Sequence, residues 1–321
     1  MKNLKISGYG KALPKRVVTN DDLKEFVDTN DEWIVQRTGI KRRRIGDEGV
    51  STLATDAAKM ALKDANLTPD DIDLIICSTV TADQMTPSIA CMVQKNLGIS
   101  DSDVTAFDLN SACTGFIFAF KTAAAMLNSF HKRALVIGAE TVSRITDFTD
   151  RSTCILFGDA AGAVVLEKTE TDKEMYFYTN CKGDDRWLSL KGVKSNVNMN
   201  NRTVESGFTR MKGDEVFKFA LRANDDAIDR ILEQAGIKTE DIDFVVPHQA
   251  NLRIIEAIAK RTRLPMEKFF INLSEYGNTS SASVPLALCE AHENGMYKEG
   301  DRVLLLGFGG GLSWGSILIE F

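Results

Sequence analysis

The chain has little histidine and no paired-cysteine motif. Its 321 residues hold three histidines and six single cysteines (Cys77, Cys91, Cys113, Cys154, Cys181 and Cys289), with no Cys-x-x-Cys spacing. That leaves neither a zinc ligand set nor a disulfide framework to read, and no metal site is expected. No stretch approaches the ~18 apolar residues of a membrane helix. Residues 1–15 also lack the apolar centre of a signal peptide, so a cytoplasmic protein without membrane contact is expected. A basic surplus is missing too. Lys and Arg number 39 against 45 Asp and Glu, a net charge of −6, which argues against nucleic acid as a partner and requires any acidic partner to meet a local basic patch. With 44% hydrophobic and 26% charged residues, the composition is that of a folded globular chain with no long low-complexity arm.

What is present is an internal repeat. Asp71-Ile72-Asp73-Leu74-Ile75-Ile76 returns 170 residues later as Asp241-Ile242-Asp243-Phe244-Val245-Val246. Arg133-Ala134-Leu135-Val136-Ile137-Gly138 returns 169 later as Arg302-Val303-Leu304-Leu305-Leu306-Gly307. The last strand of each half, starting at Gly162 and at Gly315, is offset by only 153, so the first half carries an extra loop between Ala139 and Asp159 that holds Arg144 and Arg151. Such arginines suit the rim of an anion site. Helical-period stretches (51–67, 213–235) alternate with short apolar runs (72–78, 242–247), the pattern of strands buried on both faces by helices. Two similar halves, residues 1–170 and 171–321, are expected to form an α/β layered sandwich with helices buried between two sheets.

Cys113 lies where the apolar run ending near Leu109 gives way to a helix rich in Ala and Phe that continues to about Leu127. A helix N-terminus favours negative charge and makes a thiol a better nucleophile; read alone, Cys113 is equally a packed core thiol. Among the histidines, His131 and His292 sit in polar surroundings and are expected to be solvated. His248 instead ends the buried strand 242–247, at the edge where α/β sheets place ligands. The counterpart loop holds Asn278, Thr279 and Ser280, which alone would suit a helix cap. Gly307-Phe308-Gly309-Gly310-Gly311 joins two strands and so is not a dinucleotide fingerprint. It fits either an oxyanion hole or a tight hairpin.

Together these segments resemble the thiolase-fold condensing enzymes, most closely the β-ketoacyl-acyl carrier protein synthase III group. The resemblance runs the length of the chain, through Asp31-Glu32-Trp33-Ile34-Val35-Gln36-Arg37-Thr38-Gly39-Ile40, Ser111-Ala112-Cys113-Thr114-Gly115, Phe157-Gly158-Asp159, His248-Gln249-Ala250-Asn251, Gly277-Asn278-Thr279 and Gly309-Gly310-Gly311. It implies a five-layered αβαβα sandwich and an acyltransferase. In that activity Cys113 takes an acyl group from a coenzyme A thioester, with the N–H groups of Cys113 and Gly310 as oxyanion hole, and His248 and Asn278 stabilise the enolate formed when malonyl-acyl carrier protein loses carbon dioxide. This is the condensation that initiates fatty-acid synthesis. Acyl-coenzyme A is a substrate and no cofactor is held permanently.

The same resemblance places Trp33 and Arg151 on either side of the adenine, with Arg37 and Thr38 nearby, and implies a homodimer. Arg253 and Lys260, one face of the predicted helix 252–263, with Arg261, Lys212 and Lys218, would form a docking stripe for the acidic carrier protein. Thr86 stands where some relatives carry Phe, from which a primer pocket open to longer or branched chains is expected. A secondary-metabolite ketosynthase or acyltransferase of the same fold, or less readily a non-catalytic partner subunit, are the alternatives; retention of Cys113, His248 and Asn278 argues against the last.

Overall fold

In the computed structural model, which describes residues 1–190 and 207–321, nine strands make up two sheets. In chain order they are β1 (Leu4–Ala12), β2 (Leu74–Ser78), β3 (Thr105–Leu109), β4 (Arg133–Thr141), β5 (Asp159–Lys168), β6 (Met175–Asp184), β7 (Phe244–Pro247), β8 (Arg302–Gly309) and β9 (Gly311–Glu320). The helices of eight residues or more are α1 (Asp31–Thr38), α2 (Val50–Asp64), α3 (Ile89–Asn96), α4 (Gly115–Ser129), α5 (Gly213–Ala235), α6 (Leu252–Thr262) and α7 (Ser283–Glu293).

The first sheet runs β1-β5-β4-β2-β3 and the second β6-β9-β8-β7. Each pairs its strands in parallel towards one edge, β3 or β7, and antiparallel towards the other, β1 or β6. In the second sheet the counterpart of β3 shrinks to one bridge between Val245 and Phe269. The register repeats with the sequence: Gly138 faces Gly162, and Gly307 faces Gly315.

Period-two alternation sends each strand to two cores. Leu74 and Ile76 enter a central core with Val246, Val303 and Leu305, while Ile75 and Cys77 face α2 and α3 on the far side. Val245, Leu304 and Leu306 turn outward to α5 and α6. Helices α4 and α7 fill the central layer, so the order is helix, sheet, helix, sheet, helix. Their sequences fit this place: α4 buries Phe116, Ile117, Phe120 and Leu127, where full burial of each such side chain contributes about 1.5–3 kcal/mol.

Three boundaries differ from the sequence reading, each for a local reason. Helix α2 stops at Asp64, and Thr68 and Asp71 then bond each other's backbone and side chain to close a separate turn at Pro69–Asp71. Strand β4 runs past Gly138 to Thr141 because β5 pairs with it that far. The glycine run is a ladder and not a loop: β8 reaches Gly309, β9 starts at Gly311, and Gly310 alone is the tip. Side chains are excluded there because a Cβ on Gly309 would stand 2.8 Å from the Cys113 backbone nitrogen.

Candidate active site

Cys113 follows β3 on a single turn, Ala112–Thr114, that leads into α4. Ala112 adopts a left-handed backbone (φ 47°), and Thr114 fixes the turn against β9 through its hydroxyl to the Ser313 carbonyl at 3.1 Å. The second half repeats this device at Ser280–Ala282, with Ser280 at φ 52° ahead of α7. A Cβ on Gly115, next to the Cys113 turn, would stand 3.5 Å from the Ser281 Cβ, so the two turns meet closely between the sheets.

His248 extends β7 by one residue, its N–H donating to the Leu306 carbonyl at 2.8 Å. Gln249 secures it by donating to the carbonyls of Pro247 and Phe270 and accepting from the N–H groups of Asn272 and Leu273. The imidazole is buried, edge-on to Phe308 at 5.1 Å between centroids, and its Nδ1 lies 2.5 Å from the Ser283 hydroxyl. Burial alone lowers its pKa to about 3, so the ring is neutral at ordinary pH.

Asn278 is held by its backbone, donating to the Leu156 carbonyl at 2.8 Å and accepting from Gly158 N–H at 3.1 Å. Its Oδ1 accepts the Ser280 N–H at 2.9 Å, which leaves the amide N–H groups to face a ligand. Cys113, His248 and Asn278, contributed by both halves, line one cleft of about 1260 Å³. Gly310 lines it as well, and among the described residues no turn or cap acceptor takes the N–H of Cys113 or of Gly310.

The thiol does not behave as the helix end alone would dictate. Burial pushes Cys113 up to about 11, the Glu140 charge adds to this, and a hydrogen bond with Ser280 opposes it. At rest the sulfur is protonated, so the oxyanion donors must act during attack and not through a standing thiolate.

The cleft reaches Trp33, Arg37, Thr38, Arg151 and Arg253. Asn30 caps α1 onto the Trp33 N–H and left-handed Gly39 ends it, so Trp33 and Arg37 share a face at i,i+4. The guanidinium carbons of Arg37 and Arg151 stand 4.5 and 4.7 Å from the Trp33 ring centroid. An adenine stacking there would have to displace one of them. The Thr38 hydroxyl is already engaged, donating to the Ile34 carbonyl and accepting from Ile40 N–H.

Thr86 sits on an exposed loop and does not line the cleft. Arg253, Lys260 and Lys212 are exposed, as expected of a docking surface, but Arg261 is paired with Asp225 of α5, and Lys218 pairs with Glu215 at 2.9 Å. His292 is exposed and stacks on Tyr9 at 4.0 Å between centroids. His131 is half-buried, its Nε2 lying 3.1 Å from the Thr105 hydroxyl in an exposed contact.

Sequence reasoning missed Ser283 and Glu140. Ser283 was one small polar residue among several; Glu140 carried a usable signal as the one acid in the otherwise apolar strand 133–141. Among the described residues, no three His, Cys, Asp or Glu side chains gather as a metal site, and no helix is long and apolar enough to cross a membrane.

Comparison with known proteins agrees with this geometry. The family model described as 3-oxoacyl-[acyl-carrier-protein (ACP)] synthase III matches residues 107–184, and its C-terminal companion matches 232–321. A β-ketoacyl-[acyl-carrier-protein] synthase III of Clostridium perfringens is 49% identical over the full length of both chains. The crystal structure of the 3-oxoacyl-[acyl-carrier-protein] synthase III of Aquifex aeolicus superposes with a TM-score of 0.92 at 46% identity, covering 99% of this chain and 100% of that one. The priming β-ketosynthase of the R1128 polyketide pathway superposes at 0.91 with 33% identity, covering 99% and 97%. Family models over more than half its length, and a relative of such identity over all of it, place the chain in the 3-oxoacyl-acyl carrier protein synthase III family.

Proposed function

We infer that this chain is a β-ketoacyl-acyl carrier protein synthase III, an acyltransferase that condenses an acyl-coenzyme A primer with malonyl-acyl carrier protein to begin fatty-acid synthesis. What carries the reading is the convergence of a thiol from residues 1–170 with an imidazole and an amide from residues 171–321 on one cleft. The Cys113 sulfur attacks the thioester carbonyl, and the backbone N–H groups of Cys113 and Gly310 hold the oxyanion. Coenzyme A leaves with the proton and Cys113 carries the acyl group. The malonyl unit then loses carbon dioxide, its electrons passing into an enolate whose oxygen accepts hydrogen bonds from neutral His248 and from Asn278. The enolate carbon attacks the acyl-Cys113 carbonyl, and the sulfur departs and takes up a proton from solvent. The decarboxylation generates the enolate without a base, which fits a site with a neutral imidazole.

Trp33, Arg37, Thr38 and Arg151 form the nucleotide end of the cleft in this reading, and the carrier protein docks on Arg253, Lys260 and Lys212. A homodimer is favoured by β3, an edge strand that leaves one side unpaired and keeps Ala106, Phe107 and Leu109 only half-buried. The cytoplasm is the proposed location.

The test is stoichiometric. Acetyl-coenzyme A plus malonyl-acyl carrier protein should yield one carbon dioxide per coenzyme A released, together with acetoacetyl-acyl carrier protein. Release of coenzyme A without carbon dioxide would assign the protein to another acyl transfer. For docking, Lys260→Glu, remote from the cleft, and Arg253→Glu should each raise the Michaelis constant for the malonyl carrier substrate roughly 3- to 10-fold, less at high salt, with kcat held. An unchanged constant in both variants removes this surface.

A further inference from the structure

Glu140 is a buried acid that the proposed mechanism does not use. It is the last residue but one of β4, is fully buried and has no cationic partner among the described residues. Burial raises its pKa, against the hydrogen bonds it accepts. Its Oε2 accepts from the hydroxyls of Thr81 (2.6 Å) and Thr79 (3.2 Å) and from Val80 N–H (3.1 Å). The other oxygen, Oε1, accepts from the hydroxyls of Ser281 (2.7 Å) and Ser280 (3.2 Å). One carboxylate thus ties the loop after β2, in the first half, to the turn before α7, in the second. Both segments wall the cleft, through Val80 and Ser280.

The internal symmetry gives this place a meaning. Glu140 faces Ala160 on β5 as Gly309 faces Ser313 on β9, so Glu140 occupies in the first half the position that Gly309 occupies in the second. Gly309 abuts the Cys113 turn; Glu140 abuts the mirrored turn, where Ser281 stands in the place of Cys113 and Asn278 in that of Asn110. Asn110 and Asn278 make the same bond, their Oδ1 accepting the N–H two residues on at 3.2 and 2.9 Å. The mirrored site is filled by a carboxylate and its donors where the other is open.

We propose that Glu140 is a positioning residue for the condensation: by gripping the Ser280 turn it fixes Asn278, and with it the donor that meets the enolate. The inference rests on the function proposed above. Ser280 is the joint. Its N–H fixes the Asn278 amide and its hydroxyl reaches Glu140. Such a turn, left-handed at a non-glycine residue, persists only when its surroundings hold it.

Glu140→Gln keeps the shape and removes the grip. Val80 N–H cannot rotate and keeps the amide oxygen, so the amide NH₂ turns to Ser280 and Ser281; the Ser280 hydroxyl loses its acceptor, while Ser281 keeps the Ser78 carbonyl at 2.9 Å. The malonyl-decarboxylation kcat should then fall about 10- to 100-fold, since a displacement near 1 Å costs about that much. The Michaelis constant for the malonyl substrate and the rate of acetyl loading on Cys113 should stay within about 3-fold. Because Glu140 acts through Ser280, the Glu140→Gln/Ser280→Ala double variant should be no slower than the slower single variant.

Equal losses in both half-reactions, an unaffected decarboxylation, or losses that multiply in the double variant would overturn the proposal. Should Glu140→Gln fail to fold, Ser280→Ala decides: a loss at least about tenfold larger in decarboxylation than in acetyl loading supports it, and a smaller difference or an unchanged decarboxylation rate overturns it. If the unsubstituted enzyme itself releases no carbon dioxide from malonyl-acyl carrier protein, it is the proposed function that fails.

Discussion

Cys113→Ala is expected to abolish acyl loading and to lower condensation by at least about 10⁴-fold, the scale seen when the nucleophile of a cooperating set is removed. Mass spectrometry after incubation with acetyl-coenzyme A should find one acetyl group on the unsubstituted protein and none on the variant. The fold should be unaffected. Gly309 lies against the Cys113 backbone nitrogen, and removing one sulfur atom opens little cavity. A real competitor makes the experiment informative: Cys181 is exposed and lines the same cleft. Acetylation of Cys181 in place of Cys113 would move the nucleophile and end the mechanism proposed here.

The repeat made the architecture legible because its period-two strands bury both faces, so apolar runs and their 169- to 170-residue offsets survive in the sequence. Cys113, His248 and Asn278 were legible for a similar reason: each sits where a strand gives way to a turn, a position that local sequence marks. Properties set by the opposite half were not. The thiol's raised pKa comes from desolvation and from Glu140, neither visible in Ser111-Ala112-Cys113-Thr114-Gly115. Arg261 reads as a docking cation on α6 until Asp225 of α5 pairs with it. The glycines of β8 and β9 read as either an oxyanion hole or a tight hairpin until the Cys113 turn is seen to press on Gly309.

His248→Ala and Asn278→Ala should each slow malonyl decarboxylation about 10²- to 10³-fold, the usual cost of deleting one preorganised oxyanion donor, while acetyl loading on Cys113 continues. Loading uses the backbone N–H groups of Cys113 and Gly310, which neither substitution removes. The two losses should not multiply, because both donors serve one enolate oxygen. For Nε2 to donate, Nδ1 must be the acceptor, and the Ser283 hydroxyl at 2.5 Å is placed to supply that proton. The pH dependence separates this role from base catalysis. With its pKa lowered to about 3 by burial, His248 keeps its neutral form and its Nε2–H across pH 5–8, so the decarboxylation rate should be flat there. A rate that fell tenfold per unit below about pH 6.5, as an imidazole of ordinary pKa would dictate, would show that His248 titrates in the working enzyme and acts as a base and not as a fixed donor.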